Sequence, residues 1–430
     1  MAKAAPEDPA TLARRGGREW LSLALLEARN ELLARLAGAT SPPPKEREGN
    51  EDEAGDRGDS GEEGRRSRAR KRPPPSEAVQ RAWDEAVRLA ARAGWFQEWW
   101  LARHVQRARG EAADPASPRL PGVEPRAEGW LRRAGIGDAD AVRSYLGQTL
   151  EQTLELLNHA DDDAAGLYFF RLALQHDDRI AERLGHLLTP LLPPPRAVRE
   201  PLGVPAQRWQ LGSERAAAAW VPPGERWAHE VVVPEFEIDA QCVNWAQFAE
   251  FAEDGGYDKR ECWSDAGWQW LQEDGRRAPR DVEQLAGSVL VARAGQLLRA
   301  PAQQPAMQVT RHEAQAWCRW AGRRLPTEPE WELAAHVAAR RGFAWGDVLE
   351  WVAGSARPFP GGEGRWPPGT LDVIVAAESQ GEGTGTAGAA CGVLRGCTSA
   401  TPARWRHAKA RRFALPHDDR SRSGFRSCAL

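Results

Sequence analysis

Apolar residues return at helical intervals in four stretches of the first 190 positions. In "GREWLSLALLEARNELLARLAG" (17–38), Trp20, Leu23, Leu26, Leu33 and Leu36 recur at helical spacing with charges between them, and Gly38 supplies a stop. The same period runs through 76–109 ("SEAVQRAWDEAVRLAARAGWFQEWWLARHVQRARG"), 138–158 and 162–188. Four long amphipathic helices are enough to close a bundle around a shared core. The proline cluster "TPLLPPPRAVREP" (189–201) then marks a boundary, because proline can neither continue a helix nor donate to a ladder.

Beyond it the pattern changes. Short strand-like runs such as "EVVVPEFEID" (230–239) alternate with Gly- and Trp-rich loops and two short helical patterns, "NWAQFAEFAEDGG" and "TRHEAQAWCRWAGR". The expected class is α+β, with a helical bundle over 17–195 and a loop-rich domain over 196–430. The stretch 41–75 has almost no apolar residue and carries an acidic block followed by a basic one, so it is expected to be a disordered insertion whose charges are solvated.

Composition narrows the class. The 58 basic and 61 acidic residues nearly cancel, to a formal charge of -3, which gives no global pull toward nucleic acid or anionic membrane. No apolar run approaches the roughly 20 residues of a membrane span, and the charged N-terminal stretch has no signal-peptide core, so a cytoplasmic protein is expected. Six scattered cysteines without a CxxC pair point to reduced thiols. Twenty tryptophans are many, and core packing accounts for most large aromatics.

Several phrases of the C-terminal half, "FEIDAQCVNWAQFAEFAEDGGYD", "RLPTEPEWE", "GDVLEWVAGSARPFPG", "VLRGCTSAT" and "SGFRSCAL", resemble the formylglycine-generating-enzyme type of domain, a loop-rich C-type-lectin-like fold. In the N-terminal half, "LSLALLEARNELLARL" and "GWFQEWWLARHVQRARG" resemble the DinB-like four-helix bundle of the non-haem iron ergothioneine and selenoneine synthases, the second phrase being nearest the selenoneine branch. The resemblance implies Fe(II) held in the bundle, and O2-dependent joining of sulfur or selenium to the imidazole of trimethylhistidine (hercynine). The donor would be a selenosugar or a thiol such as γ-glutamylcysteine or cysteine.

Members of that family hold iron with three histidines, one before the "GWFQEWW"-like phrase and two spaced four apart on the last helix. His176 matches the first of the pair, whereas Ile180 stands at the second and Arg92 at the remaining position. An isoleucine cannot ligate, and a guanidinium offers no lone pair. His104 lies roughly 18 Å along a helix from Arg92 and His186 roughly 15 Å from His176, so neither can substitute. Asp177 and Asp178 point about 100° and 200° around the helix from His176 and join it only if the helix breaks. The alternative for His176 is a core histidine in the stripe Leu172, His176, Ile180, Leu184.

Three further readings attach to the resemblance. Arg411, Phe413 and Trp405 match a substrate-lining segment, and the cluster Arg404, Arg406, Lys409, Arg411 and Arg412 suits an anionic substrate or, equally, a charged strand face. Cys397 stands in "RGCT" where the family has a glycine, and the tyrosines usual between "EWVAGSARPFPG" and "VLRG" are missing. Arg132 and Arg133, in the short "GWLRRAGIG" loop, are surface arginines or carboxylate contacts.

The function expected is an iron-dependent synthase forming a carbon–selenium or carbon–sulfur bond; the second reading, its alternative, is a degenerate pseudoenzyme that binds a small molecule, and a third, of least weight, is copper-dependent thiol oxidation. The second would offer aromatic faces to a trimethylammonium group, with Trp263, Trp268, Trp270, Trp317, Trp320 and Trp405 as candidates. The third needs a reactive cysteine pair, for which only Cys391 and Cys397 lie near each other.

Overall fold

The computed structural model describes residues 8–38, 77–189, 192–215, 219–360, 367–369 and 391–430. The insertion expected at 41–75 and the tyrosine-free stretch 371–390 lie outside them. The described part is mixed helix and sheet.

A short helix, α1 (Pro9–Arg15), precedes four long ones: α2 (Arg18–Gly38), α3 (Glu77–Gln97), α5 (Ala139–Asn158) and α6 (Tyr168–Leu188), with the shorter α4 (Ala127–Arg133) between α3 and α5. The four long helices pack around one core in which Leu21, Leu25, Leu32, Ala90, Phe96, Leu146, Leu172 and Leu184 are fully or almost fully buried. At Gly94 a Cβ would stand 2.5 Å from the Tyr145 ring, so glycine is what lets α3 approach α5 there.

Two boundaries differ from the periodic pattern. The helix expected to reach 109 ends at Gln97 and opens into a π-turn over Glu98–Ala102. The wider turn sends the Glu98 carboxylate to the Tyr145 hydroxyl (2.8 Å) while Trp100 stacks on Phe169 (centroids 5.3 Å apart). The last helix starts at Tyr168 rather than 162, because Asp163 accepts from the Ala165 and Gly166 amides and holds that approach as a turn.

Past the proline cluster, β1 (Leu202–Val204) pairs with β4 (Phe236–Ile238), and β2 (Gln207–Leu211) with β3 (His229–Val233). Helices α7 (Trp245–Glu253) and α8 (Asp265–Asp274) follow, then the antiparallel meander β5 (Val282–Gln284), β6 (Val289–Arg293) and β7 (Gln296–Ala300). Helices α9 (Arg311–Trp320) and α10 (Glu328–Val337) lead to a four-stranded sheet. It is built from β8 (Leu349–Ser355), β9 (Gly392–Arg395), β10 (Arg411–Ala414) and β11 (Ser423–Phe425), in the order β10-β9-β8-β11, with β11 parallel to β8.

The "RLPTEPEWE" run earns its distinctiveness by doing several jobs at once. Thr327 caps α10 and Glu330 closes the capping box, while Glu330 also takes a two-pronged ion pair from Arg324 (2.8 Å each). The next two residues point inward. Trp331 donates to Glu350 (2.8 Å), which in turn holds the buried Arg426, and Glu332 holds Arg395 (2.5 Å). Each buried charge therefore meets an opposite one together with further hydrogen bonds, the condition under which burial is tolerable.

The two halves are joined by polar contacts as much as by apolar ones. Trp405 and Trp220, from the C-terminal half, belong to the helical core. Arg171 on α6 donates to the carbonyls of Ala13 (3.0 Å) and Gly16 (2.8 Å), and Arg14 on α1 pairs with Glu225 (3.0 Å), so α1 straps the helices to the loop domain.

His104, wholly buried between Trp100 and Phe169, carries a testable consequence. Burial, then the charges of Arg119 and Arg107, holds its pKa down at about 4. Its folded pKa is below the unfolded value near 6.5, so the stability it contributes is complete above that value and is lost as pH falls toward 4. Between pH 7.5 and 5 the loss through this group is about 2 kcal/mol. Urea unfolding at both pH values should show that His104→Leu is less sensitive to acid than the parent by that amount; equal sensitivity would contradict the assignment.

Candidate functional site

The register of α3 against α6 decides which residues can share a site. Trp100 stacks on Phe169, Phe96 on His176 (centroids 4.4 Å apart, planes 14° apart), and Gln97 donates to Asp177 (3.0 Å). Numbers rise along α3 as they fall along α6, so the helices are antiparallel and Arg92 comes opposite Ile180. The positions 92, 176 and 180 thus converge on one place in the bundle.

Their chemistry there is not that of a metal site. His176 is 1% exposed, and neither ring nitrogen has a hydrogen-bond partner among the described residues. Burial holds its pKa down at about 3, and the largest charge acting with burial is that of Arg92. The imidazole is therefore neutral and faces a cation. Arg92 itself makes an ion pair with Glu128 on α4, and Ile180 is 3% exposed in the helical core.

The two aspartates beside His176 are engaged elsewhere, since α6 is unbroken from Tyr168 to Leu188. Asp177 turns toward the bundle, where Arg29 donates to it twice (3.1 and 2.9 Å); burial raises its pKa to about 6 against the pull of that guanidinium. Asp178 turns the other way, to Arg404 (2.6 and 2.8 Å) and the Trp405 indole (2.6 Å).

All nine histidines fall within the described residues. Among those residues no group of three or more His, Cys, Asp or Glu side chains could hold a metal ion. His104 packs against aromatic rings, and His186 meets the Thr398 hydroxyl (3.2 Å). The iron expected from the resemblance does not fit the donor set at 92, 176 and 180.

The substrate-lining candidates stand at the junction of helices and sheet. Arg411, 2% exposed, is fixed by Glu328 (2.7 and 2.9 Å) and the Gly224 carbonyl (2.6 Å), between the rings of Phe359 and Phe413. Phe413 packs in the sheet core and Trp405 in the helical core. The basic cluster is likewise committed: Arg404 to Asp178, Arg406 to the Thr401 carbonyl (2.6 Å), Lys409 to the Gln210 carbonyl (3.2 Å) and Arg412 to Glu182 (2.6 Å). Arg404 and Arg412 thus cross to the helices, whereas Arg406, Lys409 and Arg411 bond within the loop domain.

Cys397 fits where a glycine was expected, because the left-handed residue of that turn is the preceding Gly396 (φ +81°). Its buried thiol is pushed up to about 11, mainly by desolvation, which leaves it an inert thiol rather than a nucleophile. Arg133 reaches Glu124 (3.2 Å) on the surface. The tryptophans proposed as a cation cage are occupied: Trp263, Trp317 and Trp320 donate to Gly256, Gln247 and Asp254, Trp268 lies under Arg260, and Trp270 lies between His312 and Arg276.

One feature that sequence reasoning missed lies beside these residues. A cleft of about 590 Å³ opens between α3, α4 and α6 on one side and α8 with the 417–420 turn on the other, and Arg92 lines it. Its size suits a small ligand. The run "HDDR" at 417–420 was the available signal.

Residues 193–380 match the family model for the sulfatase-modifying factor enzyme 1-like domain. Over 303 residues the chain is 31% identical to a hercynine oxygenase of Mycolicibacterium smegmatis, covering 65% of this chain and 69% of that protein. The chain belongs to the hercynine oxygenase family. A second member, from Mycobacterium tuberculosis, is 30% identical over 312 residues, with 65% of this chain and 70% of the relative covered. A formylglycine-generating enzyme of Streptomyces coelicolor is 31% identical over 173 residues, covering 36% of this chain and 53% of that enzyme. The share covered by the hercynine oxygenases exceeds residues 196–430, so likeness to this family reaches into the helical half.

If Arg92 and Ile180 are what keep iron out, restoring imidazoles should bring it in. The double variant Arg92→His/Ile180→His should bind Fe(II) at least about 100-fold more tightly than the parent in anaerobic competition with a chromophoric chelator, since lost ligands outweigh the 10- to 100-fold cost of lost ligand supports. Equal affinities would show that the three positions do not converge.

Proposed function

We propose that this chain is an iron-free member of the hercynine oxygenase family, a pseudoenzyme that binds hercynine or a related small betaine in the cleft between helices and loop domain without oxidising it. One observation carries the reading: the buried His176 ring stacks on Phe96 with neither nitrogen bonded to a described residue, under the charge of Arg92 and with isoleucine at 180. Fold does not guarantee chemistry, and a cationic ligand position opposes a divalent cation. The cleft supports the binding half of the proposal by its size and by guanidinium groups on its wall that suit a betaine's carboxylate.

A second reading, an Fe(II)- and O2-dependent synthase joining selenium or sulfur to trimethylhistidine, is favoured by the extension of the match into the helical half. It requires ligands that this donor set does not supply, and its selenium form rests on the "GWFQEWW" phrase alone. A site in the cytoplasm belongs to the same proposal; among the described residues no helix is long and apolar enough to cross a membrane.

Purified protein supplied with Fe(II), O2, trimethylhistidine and either a selenosugar or γ-glutamylcysteine separates the two. The expected outcome is calorimetric binding of trimethylhistidine with no carbon–selenium or carbon–sulfur product by mass spectrometry. Multiple turnovers to either product would overturn the pseudoenzyme reading and establish the synthase.

A further inference from the structure

The cleft is lined by five arginines and five acidic residues, yet its charges are not balanced locally. Every acid on the wall is already engaged. Glu128 holds Arg92, and Asp274 holds Arg276 (2.6 and 2.8 Å). Asp419 takes Arg276 (2.9 Å) and Arg280 (3.2 Å), and Glu85 lies between Arg280 (3.7 Å) and Arg420 (3.6 Å). Asp418 accepts from the Ser421 hydroxyl (2.6 Å) and the Arg420 amide (3.1 Å).

Two cations remain. Arg88 on α3 and Arg183 on α6 line the same cleft and have neither an ion pair nor a hydrogen bond to a described residue. The antiparallel register that places Phe96 on His176 brings Arg88 level with Arg183, one helical turn along α3 from Arg92. Arg183 is half-buried, so its charge is less well solvated than that of a surface arginine. Arg88 is exposed, and an anion in the cleft between the two residues would take charge-assisted hydrogen bonds from both guanidinium groups.

We propose that this mouth of the cleft is an anion site, in which a carboxylate or phosphate group of a small polyanion bridges Arg88 and Arg183. The inference rests on the cleft being a small-molecule site and adds the chemical class of ligand it takes. Guanidinium forks suit both groups, because carboxylate and phosphate oxygens match their paired N–H donors.

Calorimetric titration of the full chain with citrate and with inorganic phosphate, at ionic strength fixed with sodium chloride, tests the proposal. The parent should bind at least one of the two anions saturably, and Arg88→Gln/Arg183→Gln should weaken that binding at least tenfold. Thermal unfolding in chloride alone should be unchanged by the double substitution, which shows that the variant is folded. Absence of saturable binding by the parent, or equal binding by the variant, overturns the anion site. The readings fail separately: citrate binding that needs both arginines, in a protein that ignores trimethylhistidine, would sustain the anion site and remove the betaine.

Discussion

The structure depends on the polar face of α6 that the loop domain covers. Asp178 receives Arg404 and the Trp405 indole, and Glu182 receives Arg412 together with the hydroxyls of Thr398 and Thr401 (2.6 and 2.7 Å). Both carboxylates are essentially buried, and taking them out of water is costly unless each meets an opposite charge and hydrogen-bond donors. The donors all come from residues 398–412, so that segment can sit in few positions against the helix. Asp177, one residue earlier, performs the same service inward by holding Arg29 of α2. Successive acids therefore clamp α6 to the bundle on one side and to the loop domain on the other, and His176 is fixed in rotation between them.

That fixed rotation is why the site's chemistry can be read from so few residues. With α6 unbroken, neither aspartate can swing round to complete a ligand set at His176, and its imidazole is left with a phenyl ring, an isoleucine and a cation. What holds the fold together does not pass through positions 92, 176 and 180: the α6 clamps, the capping box at Thr327 and the Glu350–Arg426 pair lie elsewhere.

Much of this was legible in the sequence. Helical periodicity located the long helices, although in α2 the buried residues are Leu21, Leu25 and Leu32 while Leu23 is exposed, and the "RLPTEPEWE" run signalled the C-terminal domain's family. The absence of ligands at 92 and 180 needed only residue chemistry. Other features were beyond the pattern. The π-turn at Glu98 depends on Tyr145, 47 positions away, and no local period encodes it. The basic run 404–412 read equally as a ligand surface or a charged strand face because its partners Asp178, Glu182 and Glu328 are distant in sequence; the tertiary fold pairs Arg404 and Arg412 with α6 and Arg411 with Glu328 inside the loop domain. The cleft was hidden for the same reason, since its walls come from three helices of one half and a turn of the other.

The central claim is that this member of the hercynine oxygenase family has no iron centre at His176. Crystals grown anaerobically with excess Fe(II) and measured at the iron absorption edge test it most directly. The account predicts no anomalous peak near the His176 ring and that ring still stacked on Phe96. A peak at bonding distance from either ring nitrogen, with any second protein ligand, would contradict it.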